Sequence, residues 1–124
     1  MSVKAEYLVI HTAAHGNKDN NYDTTVEQIQ EWHLKRGWKE IGYHFVIRLN
    51  GDVTTGERHL DEAGAHVAGL NSRSYGICMS GHGDFHNFTE NQYNSLIDLC
   101  IRLMKDYNIP VEKVIGHREI NNLI

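Results

Sequence analysis

The sequence predicts an α/β fold in which a central mixed β-sheet is flanked by helices. Two observations lead to this prediction. Apolar, strand-like runs alternate along the chain with two helical segments, and one pair of strands is joined by an Asn-Gly turn. Strands interleaved with helices, together with one hairpin, imply a mixed sheet with helices packed against it. A chain of 124 residues is long enough for one hydrophobic core, so we expect a single domain over residues 1–124.

The first part of the chain predicts a strand and a capped helix. A strand is expected over residues 5–11, because the apolar run Tyr7-Leu8-Val9-Ile10 leads into His11. The segment Thr24-Thr25-Val26-Glu27 has the signature of a capping box, in which side chains satisfy the first free amides of a helix. The helix behind it is expected to end at Gly37. Apolar spacing predicts one face that carries Val26, Ile29, Trp32 and His33.

The middle of the chain predicts a hairpin. Residues 42–49 are β-rich, and strand alternation places Tyr43 and His44 on opposite faces, with His44 in a structural role. Asn50-Gly51 is a strong turn signal because both residues can adopt a positive φ. The return strand is then expected over residues 52–55.

The second part of the chain predicts a further strand over residues 75–80 and a long helix. Thr89-Glu90-Asn91-Gln92 is another capping box, and the helix is expected to end at Asn108 and Pro110. A last strand follows over residues 111–115. The buried face of the helix is predicted from a wide apolar stripe: Tyr93, Leu96, Ile97, Cys100, Ile101 and Met104.

Composition and charge argue against several classes of function. The net charge is −4 and the chain has no basic run, which argues against nucleic acid as a partner. No apolar run approaches the roughly 20 residues that span a bilayer, and no secretory signal is visible, so cytoplasmic synthesis is expected. Cys78 and Cys100 lie in apolar segments and are expected to be buried free thiols.

Two histidines, each at the end of an apolar strand-like run, are candidate metal ligands. His11 ends the first strand, and His117 follows Val114-Ile115-Gly116. Zinc accepts imidazole nitrogen readily, and a catalytic zinc takes three protein ligands and keeps one position open for water. Taken singly, each histidine could instead be satisfied within the sheet or a loop, and Tyr43 could be a core or edge tyrosine.

Four sequence blocks occur in an order that resembles a known family. They are Val9-Ile10-His11-Thr12-Ala13, Gly42-Tyr43-His44-Phe45-Val46-Ile47 with Asn50-Gly51, Gly64-Ala65-His66 through Ser74-Tyr75-Gly76-Ile77, and Gly116-His117-Arg118-Glu119. Together they resemble the zinc-dependent N-acetylmuramoyl-L-alanine amidases of the phage T7 lysozyme type and the related peptidoglycan recognition proteins. The resemblance extends over nearly the whole chain.

The resemblance implies a fold, an activity and a set of site residues. The fold is the T7 lysozyme-like and peptidoglycan recognition protein-like amidase fold, with Zn²⁺ in a cleft on one side of the sheet. The activity is hydrolysis of the amide between N-acetylmuramic acid and L-alanine in bacterial peptidoglycan. By position, His11 and His117 correspond to zinc ligands, Tyr43 to the catalytic tyrosine, and His66 to a residue near the bound muramyl peptide. An endolysin of this kind acts on the cell wall after release.

The sequence departs from the family's pattern after His117. Family members have a third zinc ligand, Cys or Asp, a short distance beyond the second histidine. None of the seven residues 118–124 is Cys, Asp or Lys, and Glu119 lies too close to His117 to match the family's spacing. We therefore expect a C-terminally shortened domain, or a zinc site that is completed in another way.

Three functions are compatible with these observations. The first is a zinc-dependent peptidoglycan hydrolase, which the presence of Tyr43 favours because a pure binding protein does not need its hydroxyl. The alternative is a catalytically impaired peptidoglycan-binding module, which the missing third ligand favours. The third is a regulatory protein, since T7-type lysozyme also binds its phage RNA polymerase, but nothing in this sequence marks such a surface.

Overall fold

The computed structural model describes residues 5–12, 25–35, 43–55, 71, 73–81 and 88–116. Within these residues no helix is long and apolar enough to cross a membrane. The elements are, in chain order, β1 (Tyr7–Thr12), α1 (Val26–Lys35), β2 (Phe45–Ile47), β3 (Val53–Thr54), β4 (Ser74–Met79), α2 (Glu90–Tyr107), a short 3-10 helix (Val111–Lys113) and β5 (Val114–Gly116).

The strands form one five-stranded sheet in the order β3-β2-β4-β1-β5. Strand β1 lies between β4 and β5 and is parallel to both, and β2 is parallel to β4. Strand β3 is antiparallel to β2 at the edge of the sheet. Parallel strands need a crossover connection, and α1 and α2 lie in the β1–β2 and β4–β5 connections. The predicted mixed sheet flanked by helices is confirmed.

Both faces of the sheet are covered, which explains why β4 is buried at all six of its positions. On one face Ile29 of α1 packs with Val46 and Cys78, and this face carries the candidate site. On the other face α2 packs against alternate residues of the parallel strands. The buried residues of that main core are Leu8, Phe45, Ile47, Tyr75, Ile77, Leu99, Cys100, Leu103 and Ile109.

The capping box of α1 lies one residue later than predicted. Thr25 Oγ1 accepts a hydrogen bond from the Gln28 amide at 3.1 Å, and the Thr25 amide donates to Gln28 Oε1 at 2.9 Å. The predicted pair was Thr24 and Glu27. Both pairs have the spacing of a capping box, so the local sequence is compatible with either starting point. The predicted helix end at Gly37 lies outside the described residues.

The predicted hairpin is present, but its strands are shorter than expected and its turn has a positive φ only at Gly51. The Gly51 amide donates to the Arg48 carbonyl and the Arg48 amide to the Asp52 carbonyl, both at 2.9 Å, which closes a three-residue loop. Gly51 has φ +92°. Asn50 has no positive φ; its Oδ1 instead accepts from the Asp52 amide at 2.9 Å.

Helix α2 begins and ends where the sequence predicts. Thr89 Oγ1 accepts from the Gln92 amide at 3.1 Å, and the Thr89 amide donates to Gln92 Oε1 at 3.0 Å, which is the predicted capping box. At the other end, Asn108 adopts the left-handed conformation with φ 55°, and its amide donates to the Met104 carbonyl.

The predicted buried face of α2 is wrong in part. Tyr93, Ile97 and Ile101 are 48%, 54% and 59% exposed. The apolar residues of α2 extend around more than one side of the helix. The sheet covers only one of these sides, so some of the apolar residues remain exposed. A step of one residue rotates a side chain by about 100°, so neighbours of core positions can face solvent. The buried positions of α2 are Gln92, Leu99, Cys100 and Leu103.

Gln92 is a buried polar residue that joins α2 to the ends of two strands. Its Nε2 donates to the Ile47 carbonyl at 3.2 Å and to the Ser80 carbonyl at 2.8 Å. Its Oε1 is the capping acceptor described above, so the side-chain amide has partners at both of its polar atoms. The residue is 0% exposed. These hydrogen bonds fix the N-terminus of α2 against the carboxyl ends of β2 and β4.

We expect Gln92→Ala to lower the free energy of unfolding by about 1–3 kcal/mol, because it leaves buried strand-end carbonyls without their donor. Urea unfolding followed by circular dichroism measures this loss. Asn94→Ala is the matched control: Asn94 lies on the exposed side of the same helix, and a surface change there stays within about 0.5 kcal/mol. Equal stability of the two variants would contradict this role for Gln92.

Candidate active site

His11 lies near the end of the central strand of the sheet. It is the fifth residue of β1 and is 5% exposed. In the β1–β4 ladder it is paired with Cys78, and alternation along β1 places it on the face that α1 covers. Backbone pairing on both sides of β1 holds the imidazole in a rigid position, as a metal ligand or a catalytic group requires.

Tyr43 is the second candidate residue that the structure describes, and it lies beside His11. It precedes β2 by two residues and is half-buried against Ile29 and Val46. The ring centroids of His11 and Tyr43 are 5.0 Å apart, with an interplanar angle of 50°. The structure therefore brings together two residues that are 32 positions apart in the sequence, and both were predicted as site residues.

His44 points away from this pair, as predicted from strand alternation. Its Nδ1 accepts from the Gly76 amide at 3.1 Å, and its own amide donates to the Gly76 carbonyl at 2.9 Å. Its ring packs edge-on against Tyr75, which belongs to the main core under α2. Because Nδ1 is the acceptor, the imidazole is neutral and its proton is on Nε2. The structural role predicted for His44 is confirmed.

Cys78 forms part of the apolar base of this site. Its sulfur is buried with Ile29 and Val46, and the aromatic side chains of Trp32 and Tyr43 pack against them. Burial raises the pKa of the thiol far above its ordinary value, and a hydrogen bond from Tyr43 opposes that shift only in part. The thiol therefore stays protonated at neutral pH, and Cys78 is no nucleophile although His11 lies on the neighbouring strand.

The other predicted site residues lie outside the described part of the chain. These are His66 and His117, together with residues 118–124. Their roles stay predictions. Within the described residues no group of three or more His, Cys, Asp or Glu side chains is arranged to hold a metal ion.

The β1–β5 pairing nevertheless bears on the two predicted ligands. Ile10 of β1 is paired with Gly116 of β5 in a parallel ladder. His11 and His117 are the next residues in the sequence after this pair. One candidate ligand therefore lies within β1, and the other follows in the sequence directly after the neighbouring parallel strand β5.

The contact between Cys78 and Tyr43 was not predicted from the sequence. The strand containing Cys78 was recognised, and so was the burial of a free thiol, which the structure confirms. Its neighbours depend on the pairing of β4 with both β1 and β2, strands far apart in the chain. Gln92 was recognised as a capping residue, but its contacts with the strand ends have no local sequence signal.

Solved structures similar to this chain include amidases and peptidoglycan recognition proteins. The N-acetylmuramoyl-L-alanine amidase LysC from Clostridium intestinale superimposes with a TM-score of 0.84 and 34% identity, covering 94% of this chain and 72% of that one. Bumblebee PGRP-SA superimposes with a TM-score of 0.80 and 25% identity, covering 95% and 72%. The fold is therefore that of the T7 lysozyme-like amidases and peptidoglycan recognition proteins.

Sequence comparison identifies the family itself. The endolysin of Enterobacteria phage K11 is 37% identical over 105 residues, which are 81% of this chain and 68% of that protein. The endolysin of Escherichia phage T7 is 36% identical over 100 residues, which are 77% and 64%. The N-acetylmuramoyl-L-alanine amidase family model matches residues 1–122, and the chain belongs to that family. The predicted class, a peptidoglycan hydrolase of the amidase type, is confirmed at the level of the family.

The chain spans about two thirds of the length of these phage relatives. The peptidoglycan-recognition protein LB of Drosophila melanogaster is 34% identical over 104 residues, which are 79% of this chain and 43% of that protein. The match therefore covers only part of each relative.

We expect both thiols to react slowly with a disulfide reagent in the folded protein at neutral pH. The thiolate is the reactive form, and burial raises the pKa of Cys100 to about 11 and that of Cys78 further still. Absorbance of the released thiol dye follows the reaction. In denaturant the two cysteines of the chain should react quickly and in full. Rapid labelling of one thiol in the folded protein would contradict the burial described here.

Proposed function

We propose that the chain hydrolyses the amide between N-acetylmuramic acid and L-alanine in bacterial peptidoglycan, as an endolysin-like enzyme that acts on the cell wall after release. The proposal is that His11 and His117 bind Zn²⁺, that Tyr43 contacts the reacting groups, and that His66 contacts the muramyl peptide. One observation supports it above the others. Tyr43 lies against His11, and Ile10, the residue before His11, is paired with Gly116, the residue before His117.

The donor chemistry of His11 fits zinc. A neutral imidazole held at a strand end offers a nitrogen ligand in a fixed direction, and the chain supplies a second histidine after the neighbouring strand. When bound, zinc lowers the pKa of water and polarises the amide carbonyl. Because the described residues hold no complete ligand set, the remaining ligand would come from another part of the chain or from solvent.

Tyr43 and its surroundings supply the protein's part of the chemistry. The hydroxyl of Tyr43 can orient the reacting water, or it can donate a hydrogen bond to the oxygen on which negative charge develops. Tyr43 packs against the buried cluster formed by Ile29, Val46 and Cys78. Their apolar side chains exclude water from one side of the phenol, which fixes the ring and strengthens its polar interactions.

A peptidoglycan-binding module without hydrolase activity is the second candidate. It is favoured by the likeness to the peptidoglycan recognition proteins. The two functions differ in the product of the reaction. An amidase releases new amino groups of L-alanine from purified peptidoglycan without new reducing sugar ends, whereas a binding module co-sediments with the same material and releases neither.

We expect His11→Ala and His117→Ala each to abolish both zinc binding and release of amino groups. Zinc needs several protein ligands, and the one histidine that remains in either variant is not enough to hold it. Metal content is measured on the same protein batches as the activity. Thr12→Ala is the matched control, since Thr12 is the exposed neighbour of His11 on β1. Full activity in either histidine variant would exclude that residue as a ligand.

We expect Tyr43→Phe to lower kcat by about 10²-fold while KM changes little, because the substitution removes the hydroxyl and keeps the ring. Steady-state kinetics on soluble muramyl-peptide fragments measures the two constants separately. Tyr93→Phe, at an exposed position of α2, serves as the control for loss of a tyrosine hydroxyl. A change confined to KM would instead assign Tyr43 to substrate binding.

A further inference from the structure

Helix α2 carries an apolar stripe on a side that the sheet does not cover. Tyr93, Ile97 and Ile101 recur at intervals of four residues, so their side chains lie one above the other along the helix. All three are exposed, and we call them the α2 stripe. Single apolar residues on a surface are normal, whereas a contiguous apolar stripe is typical of a surface that binds another molecule.

Charged residues of opposite sign lie at the two ends of the α2 stripe. Glu90 is in the first turn of α2 and Lys105 is in the last. They lie seven residues before and eight residues after Ile97, about two helical turns in each direction, which places both on or beside the stripe. Both are exposed, and within the described part of the chain neither forms an ion pair. Each charge is therefore available to a partner.

The charged residues in the middle of α2 lie to one side of the stripe. Asp98 and Arg102 line a groove beside Val53 of the edge strand β3. They face the hairpin, so the central part of the stripe itself is apolar and only its two ends are charged.

The apolar residues and the two end charges share one centre. Ile97 is midway between Tyr93 and Ile101, and the midpoint between Glu90 and Lys105 falls within one residue of it. A two-fold axis at this point lays α2 antiparallel on α2 of a second copy. In that arrangement Tyr93 packs on the second copy's Ile101, and Glu90 approaches the second copy's Lys105. A two-fold dimer uses the same surface on both subunits, which requires this kind of self-complementarity.

We propose that the α2 stripe is the interface of a weak homodimer, in which two copies of this chain pack α2 against α2 in antiparallel orientation. With 18 residues, α2 is about 27 Å long. A single pair of helices of that length is at the small end of specific protein interfaces. The dimer therefore forms and dissociates with concentration, and it is not a permanent assembly.

The proposed dimer leaves the candidate active site open. Helix α2 packs on one face of the sheet, and His11 and Tyr43 meet on the other, so the two sites of a dimer face away from each other. Peptidoglycan is a polymer with many equivalent bonds, so two outward-facing sites raise the affinity for it without any new contact. This consequence rests on the proposed function, whereas the pairing of α2 does not.

Sedimentation velocity over a range of protein concentrations tests the dimer. We expect the sedimentation coefficient to rise from that of a monomer to that of a dimer between about 1 μM and 1 mM chain. Ile97→Glu places two like charges at the two-fold axis and should keep the protein monomeric over this range. Val111→Glu is the matched control, since Val111 is also exposed and apolar but lies in the 3-10 helix outside α2.

Two results would overturn the proposal. One is a protein that stays monomeric up to the highest of these concentrations, in which case the α2 stripe belongs to a different partner. The other is an Ile97→Glu protein that still dimerises, or a Val111→Glu protein that loses as much association as Ile97→Glu does.

Charge reversal tests the antiparallel orientation. Glu90→Lys or Lys105→Glu alone brings like charges together at both ends of the dimer and should weaken association about tenfold. The double variant restores opposite charges at both ends and should regain most of the association. A double variant no better than either single one would contradict the antiparallel pairing. Circular dichroism shows whether α2 stays intact, because both reversals oppose the helix dipole.

Release of amino groups, measured on the same proteins, separates this inference from the proposed function. Ile97→Glu should leave the turnover of soluble muramyl-peptide fragments unchanged, because the α2 stripe and His11 are on different sides of the sheet. A dimer that releases no amino groups would retain the interface and reject the hydrolase. A monomeric protein that releases them would retain the hydrolase and reject the interface.

Discussion

The parallel pairing of β1 with β4 on one side and β5 on the other determines where the candidate site lies. This register places His11 opposite Cys78 and pairs Ile10 with Gly116, the residue before His117. A slip of one residue along β1 would move His11 to the face covered by α2. Such a slip would also bring Ile10 to the site and bury the imidazole in an apolar core. The register of β1 therefore determines which of its side chains faces the site.

The two faces of the sheet differ in what they contribute. The face under α2 holds the larger core, and its buried polar side chains have structural roles. Gln92 donates hydrogen bonds to carbonyls at the ends of two strands, and His44 accepts a hydrogen bond from the backbone of β4. The face under α1 has a smaller apolar cluster, beside which His11 and Tyr43 meet. Stability is thus concentrated on one side. The other side can hold polar groups whose arrangement serves catalysis or binding rather than packing.

The sequence predicts most of this fold but less of the site. Capping signals and apolar runs are local, so the strands, both helices and the limits of α2 could be predicted from them. Local signals fail where two adjacent residues fit the same capping motif equally well, as Thr24 and Thr25 do at the start of α1. They also fail where a helix is apolar on two sides, as at Ile97. The contact of Tyr43 with Cys78 depends on pairing between strands distant in sequence, which one sequence does not encode in any short pattern.

The placement of Tyr43 beside His11 bears on which function this domain performs. A protein that only binds peptidoglycan gains from hydrogen-bond donors and acceptors that face its ligand. A hydrolase needs an acceptor in a fixed position, because the reacting water must be aligned before it attacks the amide. Tyr43 is held by the apolar cluster on one side and by His11 on the other. This constraint on the ring of Tyr43 favours the hydrolase over the binding module.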